Sequence, residues 1–147
     1  MVDVGDKPET ARAATAEAFL VVAPATLAAL RDGKGPKGDP LEVARLAALQ
    51  AAKRTAELVP LCHPLRLSSV EVEIAEAPPD RVRVLARVRA VERTGVEMEA
   101  LTAALVGALT LYDMVKAIDR AATITDARVL EKHGGKTGSW TRPASST

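Results

Sequence analysis

The chain is poor in aromatic residues and in cysteine. Its 147 residues include one Phe, one Tyr and one Trp, too few for the stacked aromatic platform on which many proteins bind single-stranded nucleic acid. Cys62 is the single cysteine, so no disulfide can form within the chain. That scarcity is typical of proteins of a reducing compartment and predicts a cytoplasmic location.

The chain also lacks an excess of charge of either sign. Its 20 Lys and Arg residues face 19 Asp and Glu residues, for a net charge of +1. A near-neutral chain does not attract nucleic acid or a membrane by its overall field, so neither partner is expected, although a local basic pocket is compatible with it. The longest uncharged runs, Ala18–Leu30 and Ala100–Tyr112, are shorter than the roughly 20 apolar residues of a membrane span. The first run follows an acidic stretch, which argues against a signal peptide.

The composition that remains is that of a globular protein. Hydrophobic residues make up 48% of the chain and charged residues 27%, and a chain of this length can bury a substantial core. We predict a single domain over residues 1–140, followed by a flexible tail over residues 141–147.

Hydrophobic periodicity and turn residues predict seven regular elements after a loop or arm over residues 1–15. In chain order they are a strand (17–23), a helix (24–33), a helix (39–57), two strands (70–74 and 82–90), a helix (94–120) and a strand (124–131). This order is the split βαβ, or ferredoxin-like, plan: an α+β fold with an antiparallel sheet and, here, one additional helix.

The two central strands are predicted to form a hairpin. Apolar residues fall on even positions in both strands, on either side of Pro78 and Pro79. Same-face pairing then requires an odd number of loop residues or a bulge. In that register the outer face sets Glu71 and Glu73 against arginines.

The third predicted helix is apolar on every side. Thr94 and Glu97 have the spacing of a capping box at its start, and no charge interrupts Ala100–Tyr112. A helix of this kind must be covered from several directions. We therefore expect part of its surface to be buried in an oligomer.

Asp113 and Lys116 are the first charges after this apolar run. Three residues apart, they share one helix face. The spacing fits a surface ion pair, and it equally fits an acid–base pair at the edge of an apolar pocket. Burial would raise the pKa of the carboxyl and lower that of the amine, whereas mutual pairing would do the opposite. The spacing alone leaves both interpretations open.

Other candidate groups have a structural interpretation beside the functional one. Glu97 and Glu99 suit the first turn of a helix, and Met98 between them suits packing. His63 is either a proton donor or a structural hydrogen-bonding group, and Cys62 is a small residue suited to burial. No standard zinc spacing relates these residues, so no metal site is expected.

The lysines cluster near predicted loops and helix ends. If they converge, they form a site for a polyphosphate anion, although scattered surface lysines need no such explanation. The positions are Lys34, Lys37, Lys53, Lys116, Lys132 and Lys136.

The combination of motifs resembles the cyclic pyranopterin monophosphate synthase family, the molybdenum cofactor biosynthesis protein C. The similarity extends in order along almost the whole chain. Its matching segments are Met1–Val4 with Lys7, residues 37–39, residues 51–55, Leu58–Leu65, Thr94–Thr102, Leu111–Ala117, residues 131–132 and residues 134–138. Val115 and His133 depart from the pattern, since a Cys and a Ser are common there.

The resemblance implies a lyase of molybdenum cofactor biosynthesis. Such enzymes convert 3′,8-cyclo-7,8-dihydroguanosine 5′-triphosphate into cyclic pyranopterin monophosphate and release diphosphate, with no redox cofactor. They have the ferredoxin-like plan and assemble as hexamers, trimers of dimers, with active sites at subunit interfaces. The small-molecule substrate and further copies of the chain are therefore the expected partners.

The resemblance also assigns roles to individual residues. Asp113 and Lys116 match the family's catalytic pair, which suits the proton transfers of a ring rearrangement. The residues implied for substrate binding are Leu61, Cys62, His63, Glu97, Met98 and Glu99, with Lys37, Lys53 and Lys132 as basic residues that neutralise the triphosphate. Two other classes stay open on the residues alone: a non-catalytic nucleotide-binding module and a purely structural oligomer.

Overall fold

The chain folds into an antiparallel sheet with its helices packed on one face. The computed structural model describes residues 1–145. Within them the elements are β1 (Thr10–Val21), α1 (Pro24–Arg31), α2 (Pro40–Lys53), α3 (Thr55–Leu58), β2 (Leu67–Ala77), β3 (Arg81–Glu92), α4 (Glu97–Val115), β4 (Thr123–His133) and β5 (Trp140–Thr141).

The sheet order confirms the predicted α+β, ferredoxin-like plan. The strands of the described chain lie in the order β2-β3-β1-β4-β5, and every neighbouring pair is antiparallel. β3 lies between β1 and β2, so the unit that runs from β1 through the helices to β2 is a split βαβ unit. The short strand β5 is an addition at the edge of β4 that the sequence pattern did not predict.

The predicted β2–β3 hairpin is confirmed in its register. Ala77 pairs with Arg81, which leaves a loop of three residues, and Val70 pairs with Val88. The odd loop keeps the apolar rows of both strands on one face. Glu71 lies opposite Arg87 on the other face, as expected. Glu73 lies opposite Leu85 and not opposite an arginine, although its carboxylate is 3.5 Å from Arg87 Nη1.

The loop predicted over residues 1–15 is wrong for its second half, because β1 begins at Thr10. From Ala14 to Leu20 every residue of β1 is buried. The strand is central and buried on both faces. Its even-numbered residues lie in the core under the helices, and Glu17 and Phe19 on the other face lie under arginine side chains of β3. It therefore lacks the alternation of apolar and polar residues that marks a half-exposed strand. This is the reason that periodicity found only its end.

The helix boundaries also differ from the prediction. The helix expected over residues 39–57 is divided at Arg54 into α2 and α3, where the Thr55 hydroxyl donates to the carbonyls of Ala51 and Ala52. α4 ends at Val115 and not near residue 120. The capping box is absent, because Val96 is the N-cap residue and no side chain caps it.

Small side chains bring α4 close to the sheet and to α2. The side of α4 that packs inward consists largely of alanines, all fully buried. At Gly107 a Cβ atom would lie 2.7 Å from Val84 Cγ1 and 3.4 Å from Ala48 Cβ. A larger residue at this position would force the helix away from the sheet.

The opposite side of α4 is not covered in a single chain. The exposed fraction is 38% for Leu105 and 56% for Leu109. By length and composition α4 is long and apolar enough to cross a membrane, but half of its most apolar 18-residue stretch is buried within the fold. Core helices of soluble proteins meet the same criteria.

The C-terminal end of the predicted domain lies within a paired segment. Thr141 pairs with Glu131, and the Arg142 amide donates to the carbonyl of Leu130 at 2.7 Å. The division into a domain over residues 1–140 and a flexible tail over residues 141–147 stays a prediction, since residues 146 and 147 lie outside the described residues.

Asp119 connects the end of α4 to the start of α1. Its carboxylate accepts hydrogen bonds from the Ala23 amide at 2.8 Å and from the Thr26 hydroxyl at 2.9 Å. Ala23 is the N-cap residue of α1 and supplies no side-chain cap of its own. These hydrogen bonds lower the pKa of Asp119 below its usual range, because they stabilise the charged form.

Asp119→Asn should therefore destabilise the fold by about 1 kcal/mol at neutral pH, the usual size of a lost helix cap. Because the native pKa lies below the unfolded value of about 3.9, the advantage of the wild type is complete well above that pH and is lost as the pH falls through the lower native pKa. Urea denaturation from pH 3 to pH 7 measures the difference. Asp32→Asn, at the exposed C-terminal end of α1, is the control, and an equal, pH-independent loss in both variants would contradict the assignment.

Candidate functional site

Asp113 lies between two lysine ammonium groups at the C-terminal end of α4. Its Oδ1 is 2.7 Å from Lys116 Nζ, one turn along the chain, and its Oδ2 is 2.8 Å from Lys37 Nζ. Lys37 comes from the loop between α1 and α2 and is brought here by the fold alone. We call these three residues the catalytic-pair cluster, after the role that the family resemblance predicts for Asp113 and Lys116.

Pairing determines the protonation of this cluster. All three side chains are about half exposed, so the cost of burying charge is small. Hydrogen bonds from Lys116 and then Lys37 lower the pKa of Asp113 to about 2, and Asp113 raises the pKa of Lys116. The spacing left open whether burial or mutual pairing sets the pKa values of Asp113 and Lys116, and in the structure pairing sets both. At neutral pH Asp113 is therefore a carboxylate, and Lys116 is held in its charged form.

A second group of predicted residues lines a cavity of about 330 Å³ at the N-terminal end of α4. Cys62 and His63 enter it from the segment that precedes β2, and Glu97, Met98 and Glu99 enter it from the first turn of the helix. We call these five residues the ring-side cluster, because the family resemblance predicts that they bind the substrate, whose purine-derived ring would lie here. Leu61 lies beside it in the chain and is 70% exposed.

Glu99 is the buried carboxyl of the ring-side cluster, with an exposed fraction of 4%. Burial raises its pKa, and the neighbouring Glu97 raises it further. Burial also raises the pKa of the Cys62 thiol, with a smaller contribution from Glu99. Glu99 additionally lines a smaller cavity together with Lys53, which places Lys53 at this end of the molecule.

Lys132 belongs to the same end. It pairs with Ala14 near the end of β4, and its ammonium donates to the Gly134 carbonyl at 3.5 Å and to the Thr137 hydroxyl. The turn that leads from Glu92 into α4 lies at this end of the strands, because Thr10 at the start of β1 pairs with Glu92 at the end of β3.

A basic cavity of about 420 Å³ nearby was missed by the sequence analysis. Lys7, Thr10, Arg12 and Lys136 line it. Arg12 is anchored by the carbonyls of Glu92 and Arg93, and the Thr10 hydroxyl is buried with no hydrogen-bond partner among residues 1–145. The sequence predicts a loop over residues 1–15, and a loop gives no indication that Lys7 and Arg12 lie beside the glycine-rich segment that carries Lys136. Recognising Thr10–Thr15 as strand would have placed them there.

The predicted site residues thus form two separate groups in one chain. At 1.5 Å per residue, Glu99 and Asp113 are about 21 Å apart along α4. Lys37 lies with Asp113 and Lys116, whereas Lys53, Lys132 and the ring-side cluster lie at the opposite end. Within residues 1–145, no group of three or more His, Cys, Asp and Glu side chains is placed to hold a metal ion.

The fold and these clusters define a class of protein: a ferredoxin-like α+β protein with an Asp–Lys ion pair and basic pockets at opposite ends of one apolar helix. Comparison with known sequences narrows the class. The MoaC family model matches residues 1–135. The cyclic pyranopterin monophosphate synthase of Thermomicrobium roseum is 54% identical over 143 residues, which cover 97% of this chain and 86% of that relative. The chain belongs to the MoaC family.

Removing either lysine should raise the pKa of Asp113 from about 2 toward the ordinary aspartate value of about 3.9, because each amine stabilises the carboxylate. Carbon-detected NMR titration of the Asp113 carboxyl measures the shift in Lys37→Met and Lys116→Met.

Lys34→Met is the matched control for this titration, since Lys34 lies in the same loop as Lys37 but makes no ion pair with Asp113. A carboxyl pKa that stays unchanged in both Lys37→Met and Lys116→Met would contradict the described cluster.

Proposed function

We propose that the protein is a cyclic pyranopterin monophosphate synthase, a lyase of molybdenum cofactor biosynthesis that acts in the cytoplasm. It converts 3′,8-cyclo-7,8-dihydroguanosine 5′-triphosphate into cyclic pyranopterin monophosphate and diphosphate. The observation that carries this proposal is the pairing of Asp113 with Lys37 and Lys116 in a chain that is 54% identical to a synthase of that name. No cofactor is assigned to the reaction.

The catalytic-pair cluster supplies the proton transfers. The rearrangement requires protons to leave and enter ring nitrogen and carbon atoms. Lys116, held in its charged form by Asp113, is a proton donor, and the Asp113 carboxylate is the acceptor beside it. Lys37 completes the cluster as a positive charge that attracts the phosphate next to the reacting ring.

The ring-side cluster binds the purine-derived ring. Carboxylates accept hydrogen bonds from guanine-type N–H groups, and Glu97 and Glu99 line the same cavity as Met98 and His63. Met98 and the exposed Leu61 provide apolar contact with the ring. Because burial raises the pKa of Glu99, its carboxylate accepts a proton more readily than an exposed carboxylate does.

The triphosphate lies among the basic residues at the same end. Lys53 and Lys132 are the predicted ligands, and the cavity lined by Lys7, Arg12 and Lys136 supplies further positive charge. The Thr10 hydroxyl, buried there without a partner in the described part of the chain, is a donor that a phosphate oxygen would satisfy.

Two subunits build each active site in this proposal. The catalytic-pair and ring-side clusters lie about 21 Å apart in one chain, farther than a single reacting ring extends. The exposed Leu105 and Leu109 lie between them on α4. Two copies packed antiparallel about a twofold axis on this face would bring the ring-side cluster of each copy to the catalytic-pair cluster of the other. The hexamer, a trimer of dimers, repeats this pair three times.

Lys116→Ala should lower turnover by roughly 10²-fold or more, the usual effect of removing a positioned proton donor. The assay follows diphosphate release and the fluorescent pterin formed on oxidation, with the purified cyclic substrate. Lys34→Ala serves as the control and should retain wild-type turnover. If the wild type binds the substrate and releases no product, the protein is a nucleotide-binding module and the proposal fails.

Mixing variants tests the shared site. Lys116→Ala and Glu99→Gln, each inactive alone, should regain activity when co-expressed, because a mixed pair has one site with both clusters intact. Random pairing predicts about a quarter of wild-type activity for a twofold-symmetric site.

The same test distinguishes a site made within one chain, which predicts no recovery on mixing. Co-expression of Lys116→Ala with Asp113→Asn is the control. Both substitutions lie in one cluster, so no mixed pair has an intact site, and recovery in this control would also contradict the proposal.

A further inference from the structure

The face of the sheet opposite α2 and α4 carries a concave pocket lined by four arginines. We call it the arginine pocket: Arg83 and Arg87 of β3, Arg128 of β4, and Arg142 just after β5. Its volume is about 480 Å³, and the segment that follows β5 closes one side. The even-numbered residues of β1 and β3 form the core under the helices, so this pocket is on the other side of the sheet from α4.

A buried carboxylate fixes two of these arginines. Glu17 of β1 has an exposed fraction of 3%. It accepts hydrogen bonds from Arg83 Nε at 2.7 Å and from Arg128 Nε at 2.8 Å. A buried carboxylate with two charged donors holds both guanidinium groups in place.

Arg142 is held by different contacts. Its Nε donates to the carbonyl of Val129 at 2.7 Å, and its guanidinium lies 5.5 Å from the centre of the Trp140 ring. The arginines are therefore positioned from three strands before any ligand arrives, which lowers the entropy cost of binding.

The fixed arginines keep unused donors. A guanidinium has five N–H groups, and Arg83, Arg128 and Arg142 each use Nε for the contacts above. Within residues 1–145 their terminal nitrogens donate to no protein acceptor. Arg87 is bound more loosely, with 3.5 Å between its Nη1 and Glu73 Oε2. The pocket thus presents several charged donors to one space.

The charge of the pocket favours an anion, and its borders restrict the size of that anion. Glu17 is neutralised from two sides, and Glu131, which also lines the pocket, accepts a hydrogen bond from the Thr15 hydroxyl at 3.0 Å. Four guanidinium groups therefore face two carboxylates. Glu71 and Glu73 lie on the β2 side of the same face. A long polyanion such as nucleic acid would cross this acidic border, whereas a small anion would not.

We propose that the arginine pocket binds a small polyphosphate, either inorganic diphosphate or the phosphate groups of a nucleotide. Terminal guanidinium nitrogens donate pairwise to phosphate oxygens, the geometry for which arginine is best suited. The site is separate from both clusters of the candidate active site, and the inference does not depend on the proposed function.

Trp140 provides the measurement, because it is the only tryptophan of the chain and lies against Arg142. Titration of the full chain with inorganic diphosphate should change its fluorescence saturably, with calorimetry as an independent measure of binding. Arg87→Gln should weaken this response roughly tenfold, the effect of losing one charge-assisted contact. A parallel titration with GTP distinguishes a nucleotide site from a diphosphate site by which ligand binds more tightly.

Two controls keep the test specific. Arg89→Gln, on the same strand as Arg87 but outside the pocket lining, should show the wild-type fluorescence response. Lys53→Ala, which removes a proposed triphosphate ligand of the active site, should leave that fluorescence response in place.

Four results would overturn the proposal: no saturable change, a response that Arg87→Gln leaves intact, a response that Lys53→Ala abolishes, or an equal response to sulfate at matched ionic strength. Sedimentation of Arg87→Gln supplies a further check. Dissociation of the variant into smaller species would assign these arginines to a contact between copies of the chain and would likewise refute the binding site.

Discussion

The close contact between α4 and the sheet determines where everything else in the molecule can lie. Alanines and Gly107 let the helix lie directly against β1 and β3, and the hydrogen-bonded geometry of a 19-residue helix fixes its length. The two clusters of candidate functional residues are at the ends of this rigid element. Their separation is therefore a property of the core and not of flexible loops, and no side-chain movement within one chain can close it.

The two ends of α4 also differ in how they treat a carboxyl group. Asp113 is half exposed and paired with two amines, so its pKa is lowered. Glu99 is buried beside another carboxylate, so its pKa is raised. One helix thus carries a carboxyl that stays ionised and a carboxyl that accepts a proton more easily, the kind of divergence by which one active site can hold both an acid and a base.

The sequence predicted the fold where a pattern is local. The β2–β3 hairpin and its register follow from the alternation of Val70 and Val88 with charged residues, and the start of α2 follows from Asp39 and Pro40. The start of β1 could not be predicted in this way, because Thr10–Ala13 is partly exposed and has no apolar alternation. Ala14–Leu20 is buried on both faces, which also removes the alternation.

The candidate site shows the same limit. The spacing of Asp113 and Lys116 placed them on one helix face, but their pKa directions depended on exposure and on Lys37, which is distant in the chain. The basic cavity of Lys7, Arg12 and Lys136 depends on the register of β1, and the family resemblance supplied roles that no local pattern contains.

The cap that Asp119 provides has a consequence for how Lys37 is placed. Asp119, six residues after Asp113 in the chain, fixes the first turn of α1 by accepting from the Ala23 amide and the Thr26 hydroxyl. Asp39 fixes the first turn of α2. The segment that carries Lys37 is therefore a short bridge between two anchored helices. Its length can change by insertion or deletion with little effect on the core, and any such change moves the ammonium group relative to Asp113. Loop length in this bridge is a route by which related chains could adjust the chemistry at Asp113 while the fold stays the same.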